Sequence, residues 1–269
     1  MIELRRLTKR YGDSVVVREL SLSVAKGELL VLLGGSGSGK TTTLKMVNRL
    51  IPPSSGEVRI DGASTDGLEG HVLRRKIGYV FQKIGLFPHM TVADNVATPL
   101  SLAGWDEERT TARVTEMLEM VDLEPSIAQR LPRELSGGQA QRVGFARALA
   151  AEPKLMLLDE PFGALDPVTR DKLQQEFLAI RRRLELTAVF VTHDMVEALL
   201  IADRIAVLKE GVLVQVGTPR ELLDSPADEY VERLLEMPRR QARTVAELIA
   251  GPPDEPAATR EAPGGGAPP

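Results

Sequence analysis

A glycine-rich stretch followed by a lysine and threonines is the part of the sequence best suited to binding phosphate. It covers residues 34–41, which we call the phosphate loop, and reads Gly34, Gly35, Ser36, Gly37, Ser38, Gly39, Lys40 and Thr41. Backbone amides at the start of a following helix would face an anion, Lys40 would reach the outer phosphates, and the Thr41 hydroxyl would be a ligand for Mg²⁺. A flexible surface loop with a chance lysine is the competing interpretation, which the flanking strand and helix patterns disfavour.

Two adjacent carboxylates, Asp159 and Glu160, follow a second apolar run. Asp159 is suited to hold Mg²⁺ through water, and Glu160 is suited to orient or deprotonate an attacking water. Taken alone, an acidic pair after a buried strand is more often a helix cap or a solvated turn. Because the phosphate loop is present in the same chain, we favour the catalytic interpretation.

Three short apolar runs would position these groups. Leu29 to Leu33, Leu155 to Leu158 and Ala188 to Thr192 have the composition of strands that are buried on both faces of a parallel sheet. They are followed by the phosphate loop, by the acidic pair and by His193, respectively. Open α/β sheets bind ligands at the carboxyl ends of their strands. We therefore predict an α/β fold with the site at that edge of the sheet.

The remaining patterns add a second sheet and several helices. Ile2 to Val24 and Gly56 to Ile60 alternate like antiparallel strands. Helices are predicted from about Thr41 to Leu50, from Thr91, from Glu107 to Met120, from Ser136, from Asp166 to about Arg183 and from Thr218.

Composition excludes several classes of protein. The 269 residues carry a net charge of -4, so no overall positive field holds nucleic acid or an acidic membrane, and we expect no nucleic-acid partner. The chain has no cysteine and three histidines, which rules out thiol chemistry and cysteine-based metal sites. The first residues do not form a signal peptide, and no apolar run reaches the ~20 residues that span a bilayer.

The run Leu135, Ser136, Gly137, Gly138 and Gln139 resembles the signature motif of ATP-binding cassette (ABC) ATPases. It lies between the phosphate loop and the acidic pair, in the order of that family. Ser136 and Gln139 also have capping-box spacing, so they could simply start a helix. Both interpretations can hold, and the resemblance implies that this segment grips the γ-phosphate of ATP bound to the other subunit of a dimer.

Four further positions match the family's motifs, each with an ordinary structural alternative. Tyr11 matches the aromatic residue that stacks on adenine, although a tyrosine at a strand end needs no ligand. Gln82 matches the glutamine that senses Mg²⁺ and γ-phosphate, and Asp166 matches the aspartate at the dimer seam, where it could also cap a helix. His193 matches the histidine that contacts γ-phosphate, and a strand-end histidine bonded to a neighbour is the alternative.

The resemblance thus implies a complete set of site residues. The catalytic group is Lys40, Gln82, Glu160 and His193, and the Mg²⁺ group is Thr41, Gln82 and Asp159. The ATP-binding group is Tyr11, residues 34–41 and Thr42. The implied fold is a P-loop NTPase core with a mixed sheet, an antiparallel β subdomain and a helical signature subdomain over about residues 85–151.

The same resemblance covers residues 1–237 and points to a subgroup. The segments 41–50, 84–92 and 159–167 are similar to ATPase subunits of importers for glycine betaine, choline, carnitine or proline. This implies three partners: a second copy of the chain, an integral-membrane permease and, indirectly, a periplasmic or lipid-anchored solute-binding protein. It also implies a position at the cytoplasmic face of the inner membrane. Gly35 departs from the family's commoner proline, and Ala140 from its commoner glutamine.

Residues 238–269 are expected to be a disordered tail rich in proline, glycine and alanine, with a short helix from Arg239 to Ile249 as an alternative for its first part. The CBS regulatory domains of many relatives are not expected.

Other functions stay open at this point. The first is import of a different solute, such as methionine or another amino acid, because solute choice resides in the permease and the binding protein. The second is a soluble cassette protein acting in DNA repair or on ribosomes. The third is a P-loop kinase, which would leave residues 135–139 and His193 unexplained.

Overall fold

The structure, a computed structural model, describes residues 1–82 and 84–250. Ten strands lie in this part of the chain: β1 Ile2–Tyr11, β2 Ser14–Val24, β3 Leu29–Leu33, β4 Ser55–Ile60, β5 Ala63–Ser64, β6 Ile77–Val80, β7 Leu155–Asp159, β8 Thr187–Thr192, β9 Arg204–Lys209 and β10 Val212–Gly217. Nine α-helices accompany them: α1 Lys40–Val47, α2 Gly70–Arg74, α3 Val92–Leu102, α4 Glu107–Met120, α5 Gly137–Ala150, α6 Pro167–Arg183, α7 Met195–Ile201, α8 Pro219–Asp224 and α9 Glu229–Ala250. Two short 3₁₀ turns, Pro125–Ile127 and Pro132–Glu134, lie before α5.

The larger sheet has six strands in the order β10-β9-β3-β8-β7-β6. All neighbours from β9 to β6 pair in parallel, and β10 is antiparallel to β9. Every residue of β3, β7 and β8 is buried, which explains why each reads as an unbroken apolar run. The predicted mixed sheet is confirmed.

The smaller sheet is antiparallel in the order β2-β1-β4-β5. One face of β1, with Ile2 and Leu4, packs over Leu30 and Leu32 of β3 in a single apolar cluster. The other side chains of β3, including Val31, face a second cluster formed with the helices. The central strand is thus covered on both sides, as its composition requires.

Helices α3, α4 and α5 begin where the sequence predicts, because polar side chains satisfy their first amides. Thr91 and Asp94 form a capping box at α3, Asp106 caps α4, and Ser136 and Gln139 form a capping box at α5. The predicted starts of α6 at Asp166 and α8 at Thr218 are confirmed in the same way. α1 is shorter than predicted, since it begins at Lys40 and ends at Val47.

The C-terminal helix corrects one expectation. α9 runs from Glu229 through Pro238 to Ala250, so the predicted disordered tail is wrong for residues 238–250, whereas the helix expected over Arg239 to Ile249 is present as part of this longer helix. An interior proline removes one helical hydrogen bond, crowds the preceding turn and costs about 3 kcal/mol, but the residues that follow Pro238, from Arg239 to Arg243, are good helix formers. Arg239, the next residue, also donates to the carbonyl oxygen of Leu223 at the end of α8. The predicted tail over 251–269 lies outside the described residues.

The segment before α3 is held by one buried amide side chain. The Asn95 Oδ1 accepts from the Phe87 amide at 2.8 Å, and its Nδ2 donates to the carbonyl oxygens of Phe87, Met90 and Thr91 at 3.2, 3.2 and 2.9 Å. Asn95 is fully buried. Residues 87–91 therefore have a fixed conformation although they form neither helix nor strand.

Within the described residues, no helix has the length and apolarity to cross a bilayer.

The buried parallel strands give a stability prediction. Leu157→Ala in β7 removes a fully buried side chain and leaves a cavity, so we expect it to lower the free energy of unfolding by about 2–5 kcal/mol. Leu200→Ala, the same change at a side chain that is 70% exposed in α7, should cost less than about 1 kcal/mol. Urea unfolding of both variants measures the difference, and equal losses would contradict the assignment of β7 to the core.

Candidate active site

Backbone crowding requires glycine at two positions of the phosphate loop. A Cβ on Gly34 would lie 2.1 Å from the carbonyl oxygen of Leu208 in β9. Gly39 has a φ of 95° and immediately precedes α1, and a Cβ there would lie 2.8 Å from the carbonyl oxygen of Val16. Only glycine fits both places without displacing backbone. The loop is therefore built against β9 and β2, and it delivers the start of α1 to the edge of the sheet.

Lys40 is held inside this loop. Its Nζ donates to the carbonyl oxygens of Gly34 and Gly35 at 2.7 and 2.8 Å and lies 3.3 Å from the Ser38 hydroxyl. The side chain is 6% exposed, and this burial lowers the pKa of the ammonium, while Glu160 and Asp159 oppose the shift. The geometry places a cation against two backbone carbonyl oxygens and one hydroxyl of the loop, where it is suited to reach a phosphate ligand.

Thr41 and Asp159 meet beside Lys40. The Thr41 hydroxyl donates to Asp159 Oδ1 at 2.7 Å, across 118 residues of sequence. Burial raises the pKa of the Asp159 carboxyl, and the hydrogen bond from Thr41 acts in the opposite direction. The described residues contain no cluster of three or more His, Cys, Asp or Glu that would bind a metal alone. A hydroxyl with one carboxylate fits Mg²⁺, which usually takes its other ligands from water and substrate phosphates.

Three strand ends converge on the Glu160 carboxylate. Gln82, after β6, donates from Nε2 to Glu160 Oε2 at 3.4 Å, and His193 Nδ1, after β8, lies 3.1 Å from the same oxygen. Glu160 has a φ of 43°, and its amide donates to the carbonyl oxygen of Val191 at 3.0 Å. A non-glycine residue in this conformation is strained, so the surrounding fold imposes it. The carboxylate can accept a proton from water or orient one.

The signature residues are not part of this cluster within the chain. The Ser136 amide donates to Gln139 Oε1 at 3.0 Å, and the Gln139 amide donates to the Ser136 hydroxyl at 3.2 Å. Leu135 precedes this capping box, Gly137 and Gly138 lie within it, and Ser136 and Gly137 are exposed. The helix-cap interpretation of the sequence is therefore correct for the isolated chain.

Asp166 and Tyr11 also lie outside the cluster. Asp166 Oδ1 accepts from the Val168 and Thr169 amides at 3.1 and 3.0 Å, and its hydrogen bonds with Thr169 lower the pKa of its carboxyl. Tyr11 ends β1 with half of its surface exposed, and Lys9 Nζ lies 5.0 Å from its ring center. An exposed aromatic ring of this kind is available for stacking on a base.

Sequence reasoning missed a residue that positions the loop after Gln82. Arg147 on α5 donates to the carbonyl oxygens of Gly85 and Ile84 at 2.8 and 3.0 Å, and its guanidinium lies 5.8 Å from the Phe87 ring center. Burial lowers the pKa of its guanidinium. Spacing of 62 residues gives no local signal for such a contact. The same helix that starts at the signature residues thus holds the segment that follows Gln82.

A largely apolar groove of about 580 Å³ opens next to this segment, apart from the phosphate loop. Its wall includes Phe81, Phe87 and Leu102, whose side chains are 44, 40 and 57% exposed, together with Pro99 and Arg147. Exposed apolar side chains grouped in a concavity indicate a surface for another protein.

Comparisons with known proteins agree with this site. The family model of ABC transporters matches residues 17–163. The glycine betaine/carnitine/choline transport ATP-binding protein OpuCA of Bacillus subtilis is 54% identical over 236 residues, which are 87% of this chain and 62% of the relative. The osmoprotectant import ATP-binding protein OsmV of Salmonella typhimurium is 47% identical over 93% of this chain and 66% of its own length. The glycine betaine uptake system ATP-binding protein YehX of Escherichia coli is 48% identical, with 87% and 76% covered.

Among solved structures, a dimeric bacterial ABC transporter cassette is 38% identical and superposes with a TM-score of 0.75, covering 82% of this chain and 99% of that one. The chain spans about three fifths of the length of the Bacillus subtilis relative. The matched region contains the phosphate loop, the signature residues and the acidic pair, and it is more than half of the sequence. The chain therefore belongs to the ABC transporter family of ATP-binding proteins.

Proposed function

We propose that the chain is the ATP-hydrolysing subunit of an ABC importer and powers uptake of an osmoprotectant such as glycine betaine, choline, carnitine or proline. The observation that carries the ATPase proposal is the convergence of Gln82 and His193 on the Glu160 carboxylate beside the phosphate loop. The relatives named above support the solute class, since their names specify these quaternary amines and osmoprotectants.

Binding of ATP uses charge and backbone amides together. The backbone amides of residues 36–42 surround the phosphates, and Gly34 and Gly35 form the start of the loop. The Lys40 ammonium, held by the Gly34 and Gly35 carbonyl oxygens, reaches the outer phosphates, where its charge offsets that of the triphosphate. Tyr11 stacks on adenine through its exposed ring. When bound, Mg²⁺ would be held by Thr41, Asp159 and Gln82 and would neutralise charge on the phosphates.

Hydrolysis requires a positioned water. Glu160 Oε2 orients the water and accepts its proton as it attacks the γ-phosphate. His193 Nδ1 lies 3.1 Å from the same oxygen, so its ring is suited to hold the carboxylate and to contact the γ-phosphate. Gln82 transmits the binding of ATP at the site to the loop that follows it. Arg147 holds that loop against α5.

A second copy would complete each site. Leu135, Ser136, Gly137, Gly138 and Gln139 have no contact with the phosphate loop of their own chain among the described hydrogen bonds, and the exposed start of α5 is suited to bind an anion. We place this segment on the γ-phosphate of ATP held by the partner, with Asp166 at the seam. The solved cassette named above is dimeric, which supports this arrangement.

The conformational change driven by ATP hydrolysis would be transmitted to the permease through the groove beside Arg147. A short cytoplasmic helix of the permease would place apolar side chains between Phe87 and Leu102. The chain then lies at the cytoplasmic face of the inner membrane, and a periplasmic or lipid-anchored binding protein delivers the solute to the permease.

Two substitutions separate binding from hydrolysis. Glu160→Gln keeps the phosphate loop but removes the base, so we expect ATP affinity within about twofold of wild type and ATPase activity reduced by about 10²–10⁴-fold. Lys40→Ala should instead weaken ATP binding itself, because it removes the buried cation. Equilibrium binding and phosphate release measure both effects, and wild-type turnover in Glu160→Gln would refute the role of Glu160.

Solute class is tested by uptake. With its permease and binding protein in proteoliposomes, the chain should drive ATP-dependent accumulation of radiolabelled betaine, choline, carnitine or proline, and Glu160→Gln complexes should not. Accumulation of methionine or another amino acid, without any of these four, would contradict the osmoprotectant proposal.

Docking at the groove is tested with introduced thiols, since the chain has no cysteine of its own. Phe87→Cys and Leu102→Cys should form crosslinks to cysteines in the permease's cytoplasmic loop, because both side chains line the groove. Leu200→Cys on α7, whose side chain is more exposed than either of these, is the control and should form none. Crosslinking from Leu200→Cys alone would place the permease elsewhere.

A further inference from the structure

The first turn of α9 contacts the phosphate loop through one hydrogen bond. The Gly35 amide donates to the Tyr230 hydroxyl oxygen at 3.2 Å, across 195 residues of sequence. This contact joins the C-terminal helix to the element that binds ATP, and the chemistry described above does not use it.

The hydroxyl is held in place by its own surroundings. Tyr230 is the second residue of α9, and the next two core positions, Val231 and Leu235, are fully buried. Asp228 Oδ1 accepts from the Val231 amide at 2.9 Å, which fixes the start of the helix. The Lys209 ammonium lies 5.1 Å from the ring center, where it favours this ring position.

The bond acts on the peptide group between Gly34 and Gly35. The N–H of that group donates to Tyr230, and its carbonyl oxygen, which belongs to Gly34, accepts from Lys40 Nζ at 2.7 Å. Because a trans peptide is planar with these two groups on opposite sides, two contacts fix its orientation. Two consecutive glycines would otherwise let the group rotate at little cost.

From this geometry we infer that Tyr230 is a positioning residue for the phosphate loop and that it couples the C-terminal helix to ATP binding. The inference rests on the proposed function, since it assumes that the phosphate loop binds ATP. Tyr230 touches neither Glu160 nor His193, so it acts on ATP affinity and not on the chemical step. Coupling is reciprocal. If the contact with α9 strengthens ATP binding, bound ATP stabilises the start of α9 by the same free energy.

Tyr230→Phe in the full chain removes the hydroxyl and keeps the ring. We expect its Kd for a fluorescent ATP analogue and its KM for ATP to rise about two- to tenfold, the range for one neutral hydrogen bond, with kcat unchanged. An unchanged Kd would overturn the inference, and so would a fall in kcat without a change in KM.

A double-mutant cycle tests whether Tyr230 acts through its hydrogen bond with the Gly35 amide. Gly35→Pro removes the N–H donor, so Tyr230→Phe should have no further effect on Kd in that background. Gly35→Ala is the matched control: it keeps the donor, and its Cβ would lie 3.9 Å from the Tyr230 hydroxyl, an ordinary contact. There the full effect of Tyr230→Phe should persist. The same effect in all three backgrounds would show that the hydroxyl acts by another path.

Hydrogen exchange provides a measurement that does not depend on folding of the proline variant. ATP should slow amide exchange in residues 229–237 of the wild-type chain, and it should not do so in Tyr230→Phe. Equal protection in the two proteins would overturn the coupling. If the wild-type chain binds no ATP at all, the proposed function fails as well; normal binding without these differences defeats only the role of Tyr230.

Discussion

Parallel pairing of β3, β8 and β7 is the constraint from which the site follows. The register aligns Leu33 with Thr192 and Val191 with Asp159, so three chain segments leave the sheet at one edge. That edge receives the phosphate loop, the acidic pair and His193, although Lys40 and His193 lie 153 residues apart in sequence. The side chains need no long-range attraction of their own, because backbone hydrogen bonding and apolar burial bring them together.

Elements with strong local signals were predictable from sequence. The buried strands are recognisable as short runs rich in Leu and Val. The caps at Thr91, Asp106 and Ser136 are also recognisable, because each is a hydrogen bond from a nearby backbone amide to a side chain. The continuous α9 was not predictable, because Pro238 is a strong breaking signal and the contact that follows it, from Arg239 to α8, is tertiary. The contacts of Asn95, Arg147 and Tyr230 were not predictable either. Their partners are backbone groups, which are alike in every residue and so leave no signal in the sequence.

Part of the site was predictable from the sequence and part was not. Lys40, Thr41 and Asp159 were expected together, and the structure places them together because the phosphate loop and β7 are adjacent. The strain at Glu160 was not visible in the sequence, since positive φ at a non-glycine residue arises from its surroundings. Residues 135–139 and Asp166 have a structural role at helix starts in addition to the role that their motifs imply. The side chains of Ser136, Gln139 and Asp166 already satisfy amides at helix starts, so replacing Ser136 or Asp166 by alanine changes stability by about 0.5–2 kcal/mol before any partner is considered.

The unbroken length of α9 has a mechanical consequence. A helix of 22 residues measures about 33 Å, and the contacts that anchor it, made by Val231, Leu235 and Arg239, all lie in its first half. A rotation of about 10° about Leu235 would move the far end of the helix by about 4 Å and its start by less than about 2 Å. Displacements of the far end of this helix therefore reach the phosphate loop reduced in size, and displacements at the loop reach the far end enlarged. The free energy of coupling is the same in both directions, so a contact at the far end and ATP at the loop influence each other equally.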